Sequence, residues 1–157
     1  MTTNEQVLLD TGILLRAVNR SDPEHITVRD ALRLLRGRQA KLVTCYQNLA
    51  EFWNVFTRPI TPNHRTGYGG TIEDAQRCVR FFRKYADFVS ESNASGELTL
   101  VLMEQQRVTG SKVHDARLAA IALSQAIPKI LTMNPADFRR YPNIDVVTPA
   151  EILASPA

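Results

Sequence analysis

Four acidic residues in this chain stand inside apolar frames. Asp10 closes the run Val7-Leu8-Leu9, and Glu51 sits in Gln47-Asn48-Leu49-Ala50-Glu51-Phe52-Trp53. Asp115 lies between Lys112-Val113-His114 and Ala116. Asp137 ends the stretch Ile130-Leu131-Thr132-Met133-Asn134-Pro135-Ala136-Asp137, just before Phe138. A carboxylate beside core-like sequence is costly to bury unless it is paired or holds a cation. Several of them, at the ends of candidate strands and on helices, point to one convergent site. Hard oxygen ligands of this kind suit Mg²⁺ or Mn²⁺, and such a pocket typically performs phosphodiester chemistry.

Each residue also has a plainer reading. Asp10 would serve equally as the N-cap of the helix that follows it. Glu51 falls off the centre of the apolar stripe Leu49, Phe52, Trp53 and Phe56, where a solvated helix acid would sit. Asp115, in a first helical turn, favours the helix N-terminus through the macrodipole. His114 is either a phosphate or metal contact or a structural histidine. Asn134, two residues past a strand end, is placed to reach the same crevice with a neutral oxygen. Asp137 is a cap or an outer acid, with Phe138 expected to anchor it outward, so Asn134 is expected nearer the metal. Thr11 and Thr132 place hydroxyls beside metal or phosphate. Arg16, Arg58, His64, Arg65 and Lys112 are candidate phosphate contacts or solvated surface charges.

The elements that must position these groups are legible from periodicity. Val7–Asp10 reads as a short buried strand, followed by a helix carrying Ile13, Leu14, Ala17 and Val18 inward. Ser21-Asp22-Pro23 breaks the chain before a second helix, which buries Ile26, Val28, Ala31, Leu32, Leu34 and Leu35 and ends at Gly37 as a C-cap. Lys41–Thr44 is the second strand. A helix from about Tyr46 to Phe56 stops at Arg58-Pro59. Pro59–Gly70 reads as an exposed loop, and Thr71 caps a helix running to about Lys84 with Ala75, Cys78, Val79 and Phe82 inward. Phe88-Val89 is a candidate edge strand. Helices over about Ala94–Thr109 and Val113–Gln125, then strands at Ile130–Thr132 and Ile144–Val147, complete the chain. This alternation predicts an α/β sandwich with a mostly parallel sheet.

Bulk properties narrow the function classes. A chain of 157 residues fits one domain over residues 1–157 with a sizeable core. It is 44% apolar and 22% charged, as soluble globular proteins are, and no apolar stretch is long enough to span a bilayer. The start, Met1-Thr2-Thr3-Asn4-Glu5-Gln6, has no basic region, which argues against a signal peptide. Cys45 and Cys78 lack metal-ligand spacing and read as small buried thiols, a cytosolic pattern. A net charge of +3 mildly favours a polyanionic partner.

These motifs, in this order and at these separations, resemble PIN-domain proteins, and most closely the VapC-type ribonuclease toxins of bacterial toxin–antitoxin pairs. The matching pieces are Val7-Leu8-Leu9-Asp10-Thr11, Asn48-Leu49-Ala50-Glu51-Phe52, Val113-His114-Asp115-Ala116-Arg117-Leu118-Ala119-Ala120, and Ile130 to Phe138. The tail Val146-Val147-Thr148-Pro149-Ala150-Glu151-Ile152-Leu153 is similar too. The resemblance implies a three-layer α/β/α sandwich, with Asp10, Glu51 and Asp115 as catalytic acids holding Mg²⁺ or Mn²⁺. Asn134 stands where the family commonly has a fourth acid, with Asp137 nearby. Thr11, Arg16, Lys112 and Thr132 become substrate contacts. An RNA substrate, a cognate antitoxin, a homodimer and a cytoplasmic location are the further implications, Leu32, Leu35, Phe52, Phe56, Phe81 and Phe82 being the apolar surface available for core or interface. Two other classes compete. One is a PIN-like module that binds RNA or protein without cleaving. The other is a phosphatase-like hydrolase, which the Asp10-Thr11-Gly12 sequence disfavours because it lacks an Asp-x-Asp nucleophile.

Overall fold

The computed structural model describes residues 5–63 and 67–156, so His64 and Arg65 lie outside the described residues. The chain runs β1 (Gln6–Leu9), α1 (Thr11–Val18), α2 (His25–Gly37), β2 (Lys41–Cys45) and α3 (Tyr46–Thr57). It continues through α4 (Ile72–Tyr85), β3 (Asp87–Val89), α5 (Asn93–Gln105) and α6 (Val113–Ser124). It ends with β4 (Lys129–Leu131), β5 (Asp145–Val147) and α7 (Pro149–Ala154). The strands form one sheet in the order β3-β2-β1-β4-β5, and every pairing is parallel. The expected edge position of Phe88-Val89 holds.

Strand alternation sorts the core into two halves. Val7 and Leu9 face one layer, where Ile13, Leu14, Val28, Leu35 and Phe52 pack. Leu8 faces the other, with Val43, Ala119, Ile121 and Phe138. Helices α1, α2, α3, α4 and α7 cover the first face; α5 and α6 pack together on the second. This is the expected α/β/α sandwich. Small residues let α6 lie close to the sheet: Ala116, Ala119, Ala120 and Ala122 are fully buried. Phe52 anchors α3, stacking on Phe56 at 5.2 Å and meeting Phe82 edge-on at 5.0 Å.

Several local expectations need correction. Gly37 is the last helical residue of α2, and the left-handed backbone falls on Gln39, with φ 63°. Helix α5 ends at Gln105 rather than near Thr109, because Arg107 turns left-handed and Gly110–Lys112 forms a separate 3₁₀ turn. The segment 59–70 is not uniformly an exposed connector. Pro59–Asn63 is exposed, but Gly67 to Gly70 folds back on the end of α3. The backbone N–H groups of Tyr68 and Gly70 donate to the carbonyls of Val55 and Phe56. A Cβ on Gly70 would lie 2.2 Å from the Phe56 ring, so only glycine allows this approach. Helix α7 was not expected, although Thr148-Pro149-Ala150-Glu151 carries its signal. Thr148 and Glu151 form a reciprocal capping box with Pro149 in the first turn.

Candidate active site

From β1 the chain winds to β2 and β3 on one side, and it reaches β4 and β5 on the other. The switch point therefore lies between β1 and β4, the place where open parallel sheets bind ligands. Asp10 follows β1 directly, and its backbone N–H donates to the Leu131 carbonyl at 3.0 Å, across that gap. Thr132 follows β4 and is wholly buried. Its hydroxyl donates to Asp10 Oδ2 at 2.7 Å, while the backbone N–H of Thr11 donates to Asp10 Oδ1 at 2.8 Å. Both oxygens of Asp10 are thus aimed. Asp10 is also the N-cap of α1, so the two readings of this residue coexist.

Glu51 reaches the same crevice from α3. Thr11 Oγ1 donates to Glu51 Oε2 at 2.8 Å and lies 3.2 Å from Asn48 Oδ1. Gln47, one turn before Glu51 on the same helix face, donates through Nε2 to Glu51 Oε1 at 3.0 Å and to the His114 carbonyl at 2.9 Å. That pair of bonds ties α3 to the start of α6, where Asp115 stands. Asn48 Nδ2 donates to the Leu9 carbonyl at 2.5 Å, fastening α3 to the end of β1. Gln47 and Asn48 were not singled out from the sequence. Their signal was present, as two amides in an apolar helix ahead of Glu51, and both are buried.

The acids act on one another's ionisation. Burial pushes the Asp10 carboxyl above its ordinary range; the bonds from Thr132 and Thr11 oppose that rise, and the Glu51 and Asp137 charges add to it. Asp115 is pushed up to about 6, first by burial and then by the charges of Asp137 and Asp10, with Lys112 opposing. Like charges held together behave in this way when no cation neutralises them.

At the fourth position both candidates lie beside the site. Asn134 is exposed, and its backbone N–H donates to Thr132 Oγ1 at 3.0 Å. Phe138 is indeed buried, yet it does not turn Asp137 outward. Asp137 lies in the turn Pro135–Asp137, pairs with Lys112 at 2.5 Å, and acts on both Asp10 and Asp115. His114 Nδ1 stands 3.7 Å from Glu51 Oε1 at the rim. Asp10, Thr11, Glu51, Lys112, Asp115, Thr132 and Asp137 are therefore brought together. Arg16 is instead engaged by the Gly12 carbonyl at 3.3 Å and by Asp22 at 3.7 Å. Arg58 lies beneath Gly67, at the fold-back of the loop.

The donor set is carboxylate, hydroxyl and amide oxygen, which suits a hard cation. Among the described residues, no three His, Cys, Asp or Glu side chains are arranged to enclose an ion by themselves.

Comparison with curated proteins finds no match. Solved structures do match. Over 91% of this chain and 98% of the matched chain, a VapBC2 complex from Rickettsia felis bound to a fragment of its promoter DNA superposes with a TM-score of 0.68 at 19% identity. A DNA-bound VapBC complex from Salmonella typhimurium matches over 92% of this chain and 98% of its own, with a TM-score of 0.65 at 16% identity. VapC20 of Mycobacterium tuberculosis, a toxin that cleaves the sarcin–ricin loop, matches over 79% of this chain and 86% of its own, with a TM-score of 0.57 at 17% identity. At such identities these likenesses establish a shared fold. The family model for the PIN domain matches residues 7–144, from β1 to the threshold of β5 and across every acid of the site. The chain belongs to the PIN domain family.

Proposed function

We propose that the protein is a Mg²⁺- or Mn²⁺-dependent endoribonuclease, and that it is the toxin of a toxin–antitoxin pair working in the cytoplasm. The observation that supports this most is the convergence of Asp10, Glu51, Asp115 and Asp137 at the sheet's switch point, linked through Thr11, Gln47, Thr132 and Lys112. Four acids held together repel one another in the absence of a cation. Asp10, Glu51 and Asp115 would hold the ion, directly or through water, with Asp137 or Asn134 as a further ligand. A bound divalent cation would supply charge neutralisation on the scissile phosphate and activation of water as the nucleophile.

The protein's own contribution is orientation. Thr132 and the Thr11 amide fix Asp10; Thr11 and Gln47 fix the two oxygens of Glu51. Asp10 and Glu51 are thereby held in place against the repulsion of their neighbours. The RNA backbone is the substrate class in this reading; a polyanion suits a cation site, and the structural neighbour VapC20 is a toxin that cleaves the sarcin–ricin loop. The VapBC complexes among the structural neighbours support a cognate antitoxin, and a homodimer belongs to the same reading.

A second reading is a PIN module that binds RNA or protein without cleaving. Asn134, standing where the family commonly has an acid, favours it. Incubation of the purified protein with total RNA in Mg²⁺ and in chelator separates the two. Cation-dependent fragments that vanish in Asp10→Asn support the nuclease. Retention of RNA without fragments, in either condition, supports the binding module.

A further inference from the structure

Lys112 ends the turn Gly110–Lys112, one residue before α6. Its Nζ is 2.5 Å from Asp137 Oδ1 and 3.9 Å from Asp115 Oδ2. It thus ties the start of α6 to the turn Pro135–Asp137, 25 residues further along. The lysine side chain is 45% exposed, against 23% for Asp115 and 27% for Asp137. Lys112 is therefore the more exposed partner of two acids that are themselves mostly enclosed. A lysine held ready for RNA phosphate would extend into solvent; this one is committed to two members of the acid cluster.

Resting on the reading of this crevice as a cation site, we propose that Lys112 is its resident counter-ion. It holds Asp137 and Asp115 while the crevice contains no metal, and it must release them when a divalent ion enters. Lys112 is then a positioning residue that sets metal affinity, rather than a substrate contact. The physical reason is that two cations on the same carboxylates repel at short range, so the lysine and the ion compete for them. Breaking a partly exposed ion pair shifts an equilibrium by about fivefold. Linkage makes the effect reciprocal: metal should weaken the contribution of Lys112 to stability by the same factor. A lysine that merely clamped the two turns would contribute equally with and without metal.

The test is calorimetric titration of Mn²⁺ into the whole protein, with Lys112→Met and Lys84→Met compared. Lys84 is exposed on α4, so its substitution makes the same change in net charge away from the cluster. Lys112→Met should bind Mn²⁺ about fivefold tighter, and Lys84→Met should match the wild type. In chelator Lys112→Met should melt below the wild type, and saturating Mn²⁺ should narrow the gap. Lys112→Gln, which keeps a donor for Asp137 but no charge, should move in the same direction. Unchanged or weaker Mn²⁺ binding by both Lys112 variants, or a melting deficit independent of Mn²⁺, overturns the inference while leaving the cation site standing. Absence of Mn²⁺ binding by the wild type overturns both.

Discussion

Replacing Asp115 by Asn should stabilise the metal-free protein at neutral and alkaline pH. Asp115 is raised from 3.8 to about 6 in the folded state, so folding disfavours its ionised form. The stability tied to this group is fully present below about pH 4 and is lost as the pH rises through 6. A shift of roughly two units, at 1.36 kcal/mol each, is about 3 kcal/mol. The residue is sufficiently enclosed for this to be a fair ceiling, with 23% of its side chain exposed. Against it stand the lost interaction with the α6 N-terminus, about 0.5 kcal/mol, and the loss of the Lys112 contact at 3.9 Å. A net gain of about 2 kcal/mol remains, or roughly 4–8 °C in melting temperature for a chain of this size. Urea unfolding followed by circular dichroism in EDTA, at a series of pH values from 4 to 8, reads this directly. The variant should be the more stable at pH 8, and the two proteins should converge near pH 4. A variant less stable than the wild type at pH 8, or a difference that ignores pH, would refute the picture of coupled acids.

Three further outcomes follow from the same geometry. Asp10→Asn should weaken Mn²⁺ binding at least tenfold by calorimetry, because Asp10 is the acid aimed from both sides at the switch point; equal binding would remove it from the site. In an RNA cleavage assay Asp115→Asn should be inactive and His114→Ala should keep activity within a few-fold, since His114 stands at the rim, 3.7 Å from Glu51; the reverse pattern would make the histidine the base. Asp137→Asn should weaken Mn²⁺ binding more than Asn134→Ala does, because Asp137 acts on Asp10 and Asp115 while Asn134 is exposed; a larger loss at Asn134 would restore the order expected from the sequence.

Much of this protein is legible in its residues, and what is legible is local. Val7-Leu8-Leu9 alternates between two apolar layers because successive strand side chains point to opposite faces. The 3.6-residue stripes of α2 and α4, and the Thr71 cap, announce themselves before any fold is known. The acids could be picked out because charge beside apolar sequence is anomalous. Helix α7 is equally local, since Thr148 and Glu151 close its capping box within four residues. The tertiary structure decided the rest. The left-handed turn after α2 fell on Gln39 because the chain must reverse into β2 there, whatever residue stands at the position. Gly67 to Gly70 packed against α3 through contacts that no loop composition encodes. Asp137 was placed by sequence spacing as an outer acid. It faces the cluster because Lys112 comes from a turn 25 residues earlier, brought alongside by the packing of α6 on the sheet. Gln47 and Asn48 acquire their roles in the same way, since their partners Leu9 and His114 lie on other elements. Side-chain pattern sets what each segment must bury, and this a sequence carries residue by residue. Which charges meet depends on the strand order β3-β2-β1-β4-β5, which brings the ends of β1 and β4 together across 122 residues of chain and exists only once the sheet has formed.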